Sequence, residues 1–177
     1  MKKILIVSGH TDMNDSVANK AILAKFAEKL PESRCVYLDK LYPDFKIDSK
    51  AEQEKLVWAD IIILQFPVFW FSMPSLMHRW MEDTFLHGFS HGYTGNKLHG
   101  KKLILSYTTG APIEALDFDA FFQNIKAACS FCGMEYAGSI STGSVSYAMR
   151  QEPGQMDAIL RKADAHAQRL IELVHQL

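Results

Sequence analysis

Ile61-Ile62-Ile63-Leu64 is an uninterrupted apolar run, and the residues after it narrow the possible folds further. Gln65-Phe66 leads into Pro67-Val68-Phe69-Trp70-Phe71-Ser72-Met73-Pro74, where two prolines bracket three consecutive aromatics. A helical pattern then passes through Leu76 and Trp80 to Phe85. The run reads as a buried strand over 61–66 that ends in an aromatic loop and feeds a helix. Ser72 is the expected cap, Pro74 sits in the first turn, and the helix closes near Leu86, before Gly88. On an extended segment consecutive side chains face opposite ways. Three aromatics in a row therefore leave at least one turned outward, to a ligand or an interface, unless the segment is simply core.

The same grammar recurs along the chain. Ile4 to Ser8 reads as a first buried strand, followed by a polar loop over 9–14. A helix from about Val17 to Leu30 comes next, capped by Asp15 or Ser16 and stopped by Pro31. Arg34 to Leu38 is a second strand. Ser49-Lys50-Ala51-Glu52 has the spacing of a capping box for a short helix towards Trp58. Leu103 to Tyr107 is a fourth strand. Asp117 or Asp119 caps a helix through Phe121, Phe122, Ile125 and Ala128 that stops at Gly133. Met134 to Ser141 is a weaker fifth strand, 142–154 a polar loop, and a last helix runs from about Gln155 to the end. Strands alternating with helices imply a parallel sheet covered on both faces. Five of each suit a three-layer sandwich with strand order 2-1-3-4-5. The 177 residues form one domain, 1–177, with no repeat or linker.

Charge and cysteine content exclude several classes. The net charge of −1 gives no footprint for nucleic acid or anionic membrane. The first apolar run is too short for a signal peptide, and no run approaches the roughly 18 residues of a spanning segment. Three cysteines without a secretory signal point to a reducing cytoplasm. Cys129 and Cys132 form a lone C-x-x-C, better explained as a buried structural pair than as zinc ligands. His78, His87, His91 and His99 match no metal motif and read as scattered surface residues, so no metal is assigned.

In open α/β sheets, ligands bind beyond the carboxyl ends of the strands, at the switch point. Three loops meet that edge: 9–16, 67–72 and 108–112. The first has neither a dinucleotide fingerprint nor a P-loop. It does enter a helix N-terminus, where free amides favour a phosphate, with Ser16 and His10 as donors. Its plainer reading is a solvated turn, and Asp12 and Asp15 suit a phosphate only if they point away. The aromatic loop offers a lining for a flat, conjugated ligand. Thr108-Thr109-Gly110 adds hydroxyls and a permissive backbone, or is an ordinary strand-to-helix turn. No Ser-His-Asp or paired-carboxylate set is visible, which fits chemistry carried by a cofactor, and no catalytic side chain is assigned.

These residues resemble the flavodoxin-like NAD(P)H:quinone oxidoreductases, including the diaphorase type, the potassium-efflux ancillary type and the general stress protein type. The resemblance rests on Gln65 to Pro74 continuing to His87-Gly88-Phe89, on Ser16-Val17-Ala18-Asn19, on Tyr42-Pro43-Asp44-Phe45 with Ile47-Asp48 and Glu52-Gln53, and on Thr108-Thr109-Gly110. It implies FMN or FAD bound non-covalently, with NAD(P)H as electron donor. His10, Ser16, Val17, Ala18 and Asn19 would lie at the phosphate end. Pro67, Val68, Phe69, Trp70 and Phe71 would line the isoalloxazine, and Thr108, Thr109, Gly110 and Ala111 its other edge. The family is dimeric, so His91 and Tyr93 would line the partner's substrate pocket. Two-electron ping-pong hydride transfer to a small quinone is the implied activity. Alternatives are a nitro- or azo-reductase on the same flavin, a flavodoxin-like electron carrier, and a regulatory subunit of a potassium-efflux transporter. A cytoplasmic location is implied, peripheral to the inner face of the membrane in the last case. The chain departs from the pattern after Gly110: it reads Ala111-Pro112, and Leu116 stands at the catalytic tyrosine position. A Tyr-His proton relay is therefore not carried over.

Overall fold

The computed structural model describes residues 2–177, the side chain of Asp119 excepted. The strands are β1 (Ile4–Ser8), β2 (Arg34–Tyr37), β3 (Ile61–Pro67), β4 (Lys102–Thr108) and β5 (Glu135–Thr142). All pair in parallel, in the order β2-β1-β3-β4-β5. The helices are α1 (Ala18–Lys29), α2 (Leu38–Leu41), α3 (Ser49–Trp58), α4 (Ser75–Thr84), α5 (Phe118–Phe121), α6 (Gln123–Phe131) and α7 (Gln155–Gln176). This is the expected doubly wound sandwich.

Because side chains alternate along a strand, each strand feeds two cores. Leu5 and Val7, Ile62, Leu64 and Phe66, and Leu103, Leu105 and Tyr107 face α3, α4 and α6. Ile4 and Ile6, Ile61 and Ile63, and Ile104 face α1 and α7, where Phe26, Leu170 and Val174 cover them. Burial on both faces explains why these strands are continuous apolar runs rather than alternating ones. The final helix buries Ile159, Ala163, Leu170 and Val174, as its stripe requires.

Several local expectations are corrected. Val17 precedes α1 without a side-chain cap, and the Ser16 hydroxyl instead accepts from the Lys20 amide at 3.3 Å, while Asp15 is used elsewhere. Leu38 leaves the strand and opens the short α2. The capping box fails: Asp48 caps α3 by accepting from the Ala51 amide at 3.0 Å. Glu52 turns inward, fully buried, and accepts from the Tyr42 hydroxyl at 2.7 Å and Trp80 Nε1 at 2.9 Å, with Lys55 as its ion-pair partner. Ser72 does not cap α4; its hydroxyl bonds the ring of His78 at 2.8 Å, and Pro74 takes the cap position. The fourth expected helix breaks at Phe122 into α5 and α6, with Asp117 Oδ1 accepting from the Ala120 amide at 3.2 Å. The alternative cap, the Asp119 side chain, lies outside the described residues. Gly133 ends α6 at φ +67°, where an added Cβ would run into the His99 ring.

Candidate functional site

The loop after β1 leads through a 3-10 turn (Met13–Asp15) into α1. The first regular backbone bond of the helix runs from the Ala21 amide to the Val17 carbonyl, 3.0 Å. The amides of Val17, Ala18 and Asn19 precede it and belong to the first turn, where donors point outward beside the positive end of the dipole. Ser16 and Asn19 are both buried here. His10 accepts from the Asp12 amide at Nδ1, 3.2 Å, which leaves Nε2 to donate. Burial holds its pKa below the usual histidine value, against the opposing pull of Asp39, Asp12 and Asp15. The two carboxylates that looked awkward for an anion do not turn away, since both border the same cavity, but each already has a partner. Asp12 accepts from the Asn14 amide, and Asp15 makes a bidentate pair with Arg150 at 2.8 and 2.9 Å.

The aromatic stretch is a tight reversal, not an extended segment. Phe69 and Ser72 exchange two backbone hydrogen bonds, each 3.0 Å, around a two-residue turn. Its central residues, Trp70 and Phe71, have φ of 49° and 63°. Two positive φ values are what a type I′ turn demands, a position that asparagine and glycine fill easily and bulky aromatics do not. Such backbone costs about 1 kcal/mol or more per residue and is typical of functional sites. Trp70 is 94 % exposed, Phe71 53 % and Phe69 41 %.

The loop after β4 is laced to both neighbours. Val68 donates to the Thr108 carbonyl at 2.8 Å, and Thr109 to the Thr142 carbonyl at 2.9 Å. Ser144 and Val145 return amides to Ala111 and Thr109. Gly143 lets these backbones meet: a Cβ there would stand 2.6 Å from the Ile113 nitrogen. Two cavities result. One, of about 360 Å³, is lined by His10, Ser16 to Asn19, Pro67 to Phe69 and Thr108 to Gly110. The other, of about 280 Å³, is lined by Val68, Trp70, Phe71, Thr109 to Ala111, Leu116 and Phe118. Val68, Thr109 and Gly110 border both, so the expected loops meet around a cleft of two adjoining cavities. A Cβ at Gly110 would crowd the Ser146 side chain at 3.3 Å, so the two loops pack closely there.

Sequence reasoning missed a fourth wall. Val145, Ser146, Tyr147 and Arg150, from the loop after β5, close the first cavity, with Arg150 stacked on Tyr147 at 3.8 Å. The signal available was position: this segment also leaves the carboxyl edge of the sheet. His91 and Tyr93 lie outside both cavities of the single chain. His91 hydrogen-bonds the Ser90 hydroxyl and packs on Phe131, while Tyr93 is fully exposed. Cys129 and Cys132 are buried free thiols. Among the described residues no three His, Cys, Asp or Glu gather as metal ligands, and no helix is long and apolar enough to cross a membrane.

A parallel 2-1-3-4-5 sheet with a cleft at its switch point defines a protein of the flavodoxin-like class. The family model Flavodoxin_2, flavodoxin-like fold, matches residues 2–168, and the chain belongs to that family. Similar solved structures share its fold. General stress protein 14 from Treponema denticola, in complex with FMN, is 23% identical at TM-score 0.83, covering 97% of this chain and 99% of its own. A thermophilic tryptophan halogenase from Streptomycin violaceusniger is 26% identical at TM-score 0.80, covering 92% and 96%. An NADPH-quinone reductase from P. pentosaceus is 23% identical at TM-score 0.74, covering 96% and 97%.

Proposed function

We propose that this protein is a flavin-dependent NAD(P)H:quinone oxidoreductase that works as a homodimer. The observation that carries the reading is the cleft of two adjoining cavities at the carboxyl edge of the sheet. One end offers helix amides and hydroxyls for a phosphate, and the other offers aromatics and backbone for a flat ring system. The residues fit a flavin on two counts. The buried Thr108 hydroxyl has no acceptor for its own proton among the described residues. Gly110 borders both cavities without a side chain, and a Cβ there would stand 3.3 Å from Ser146. The FMN complex of the Treponema protein favours FMN over FAD. A bound flavin would supply two-electron hydride chemistry between a reduced nicotinamide and a quinone-like acceptor.

The chain's own residues supply position. Amides of Val17, Ala18 and Asn19 with Ser16 and His10 Nε2 hold the phosphate. Pro67 to Phe71 and Thr108 to Ala111 orient the ring and exclude water from one side. Trp70, Phe71 and Tyr93 are left uncovered in the single chain. A second copy would cover them and bring His91 and Tyr93 to the partner's substrate pocket. Leu116 carries no titratable group, so in this reading it borders the ring without handling a proton.

Purified protein is expected to be yellow, or to take up FMN, and to oxidise NADPH with a small quinone. Protein that is colourless and binds neither FMN nor FAD would end this reading. Trp70→Ala should weaken flavin retention far more than Trp58→Ala, whose ring stacks under Arg34 at 3.9 Å away from the cleft. Sedimentation at micromolar concentration should give a dimer.

A further inference from the structure

Beneath the cleft, on the α1–α7 side of the sheet, one exposed arginine and six buried polar side chains form an unbroken hydrogen-bonded chain. It starts at Arg169 and ends at Thr108. Only the Arg169 bonds have a direction fixed by donor inventory; in the direction set from that end, every member before Thr108 is satisfied. Arg169 has donors only, and its Nη2 gives to the Ser141 carbonyl at 2.7 Å and to Thr142 Oγ1 at 3.0 Å. Thr142 has one proton, which goes to His166 Nδ1 at 2.9 Å. His166 is fully buried, and burial, reinforced by the nearby Arg169 charge, pushes its pKa down to about 3. It is therefore neutral, with one N–H, placed on Nε2. That N–H gives to Ser106 Oγ at 2.7 Å, and the Ser106 hydroxyl gives to Gln65 Oε1. Gln65 Nε2 gives to Asn19 Oδ1 at 2.7 Å, and Asn19 Nδ2 gives to Thr108 Oγ1 at 3.0 Å.

We infer that Arg169 sets the polarity of this chain, making it a one-way relay that aims the Thr108 hydroxyl proton into the cleft. The reversed chain is disfavoured at one point. It would bring two donors, Arg169 and His166, onto Thr142 Oγ1 and leave the proton of that nearly buried hydroxyl with no acceptor among the bonded partners, a loss that one satisfied direction avoids. Every other member can reverse by a ring tautomer, an amide flip or a hydroxyl rotation; the guanidinium cannot. Thr108 is 3 % exposed and lines the cleft, so its proton is available to a bound acceptor atom and to little else. Low local dielectric and serial alignment strengthen such a chain. On the flavin reading, the acceptor is an oxygen or ring nitrogen of the cofactor. Arg169 and His166 are positioning residues that act through Thr108 from the other end of the chain of bonds.

The test begins on protein stripped of flavin. Nitrogen-15 NMR of the His166 ring should show the Nε2–H tautomer, unchanged from pH 8 to pH 5. Arg169→Gln should turn this into a mixture of tautomers, Arg169→Lys should restore the single one, and FMN affinity should fall about tenfold in Arg169→Gln and recover in Arg169→Lys. A wild-type Nδ1–H tautomer, or an unchanged tautomer in Arg169→Gln, overturns the relay. The wild-type measurement decides the polarity even where a variant does not fold. The relay and the flavin reading also fail separately. The expected tautomer in a protein that binds no FMN removes the cofactor and keeps the relay; tight FMN binding with the opposite tautomer does the reverse.

Discussion

The two faces of the sheet are built from alternate residues of the same strands, yet they end differently. On the α3–α4–α6 side the core stays apolar to the carboxyl edge: Phe66 stacks on Tyr107 at 5.9 Å and meets Phe122 edge-on at 5.5 Å. On the α1–α7 side the core is apolar through Ile63 and Ile104 and then changes character one pleat later, at Gln65, Ser106 and Thr108. Gln65 and Phe66 are neighbours in sequence, both with no exposed surface; one is held by hydrogen bonds and the other by ring packing. The sheet is therefore not uniformly a scaffold. One face holds the molecule together up to the cleft; the other gives up apolar contact in its last turn to aim hydrogen bonds at the cleft.

That contrast can be broken at several points. The largest effect is expected on the apolar face: Phe66→Ala should destabilise the protein by about 3–5 kcal/mol in urea titrations, through lost contacts and a cavity. The polar face should instead be sensitive to acid. The folded-state pKa of His166 lies near 3, below its ordinary 6.5, so its stabilising contribution is complete above pH 6.5 and is lost as the pH falls towards 3. Between pH 7 and pH 4 this amounts to about 3 kcal/mol. A His166→Gln variant should show a correspondingly flatter stability-versus-pH curve, and a curve as steep as wild type would remove His166 as the source. Gln65→Leu should cost roughly 2 kcal/mol, because Asn19 and Ser106 each lose a buried partner. A cost near zero would mean that the polar face is loosely made. The smallest effect has the opposite sign. Trp70→Asn should raise the stability of the flavin-free protein by up to about 1 kcal/mol, since asparagine accepts positive φ, while flavin retention falls.

The fold was legible because β1, β3 and β4 are buried on both faces and therefore spell themselves out as apolar runs. Three of the loops at the cleft were legible because they come directly after those runs. What escaped depends on contacts distant in sequence. Ser49-Lys50-Ala51-Glu52 spells a capping box, and only the tertiary approach of Tyr42 and Trp80 makes Glu52 a buried hub instead. Gln65, Ser106 and His166 are unremarkable polar letters until the sheet aligns them, with separations of 41 and 60 residues between bonded partners. Arg150 is 135 residues from Asp15, and nothing local in 142–154 announces that the loop is a wall. The aromatic loop lies beside the cleft, as its place after β3 requires, but it is a reversal rather than an extended segment. A Trp-Phe pair is among the least expected fillings of a type I′ turn, so the residues themselves hide it.

The Asp15–Arg150 pair joins the first loop of the chain to the last one beside the first cavity, with Tyr147 stacked against the guanidinium. Its meaning is temporal. A ligand lodged in the first cavity would lie against this strap, so its release rate should respond to the pair. Exposed ion pairs weaken as salt rises. A stronger electrolyte should therefore speed release from the first cavity before it erodes the fold, and an Arg150→Gln variant should lose that salt dependence.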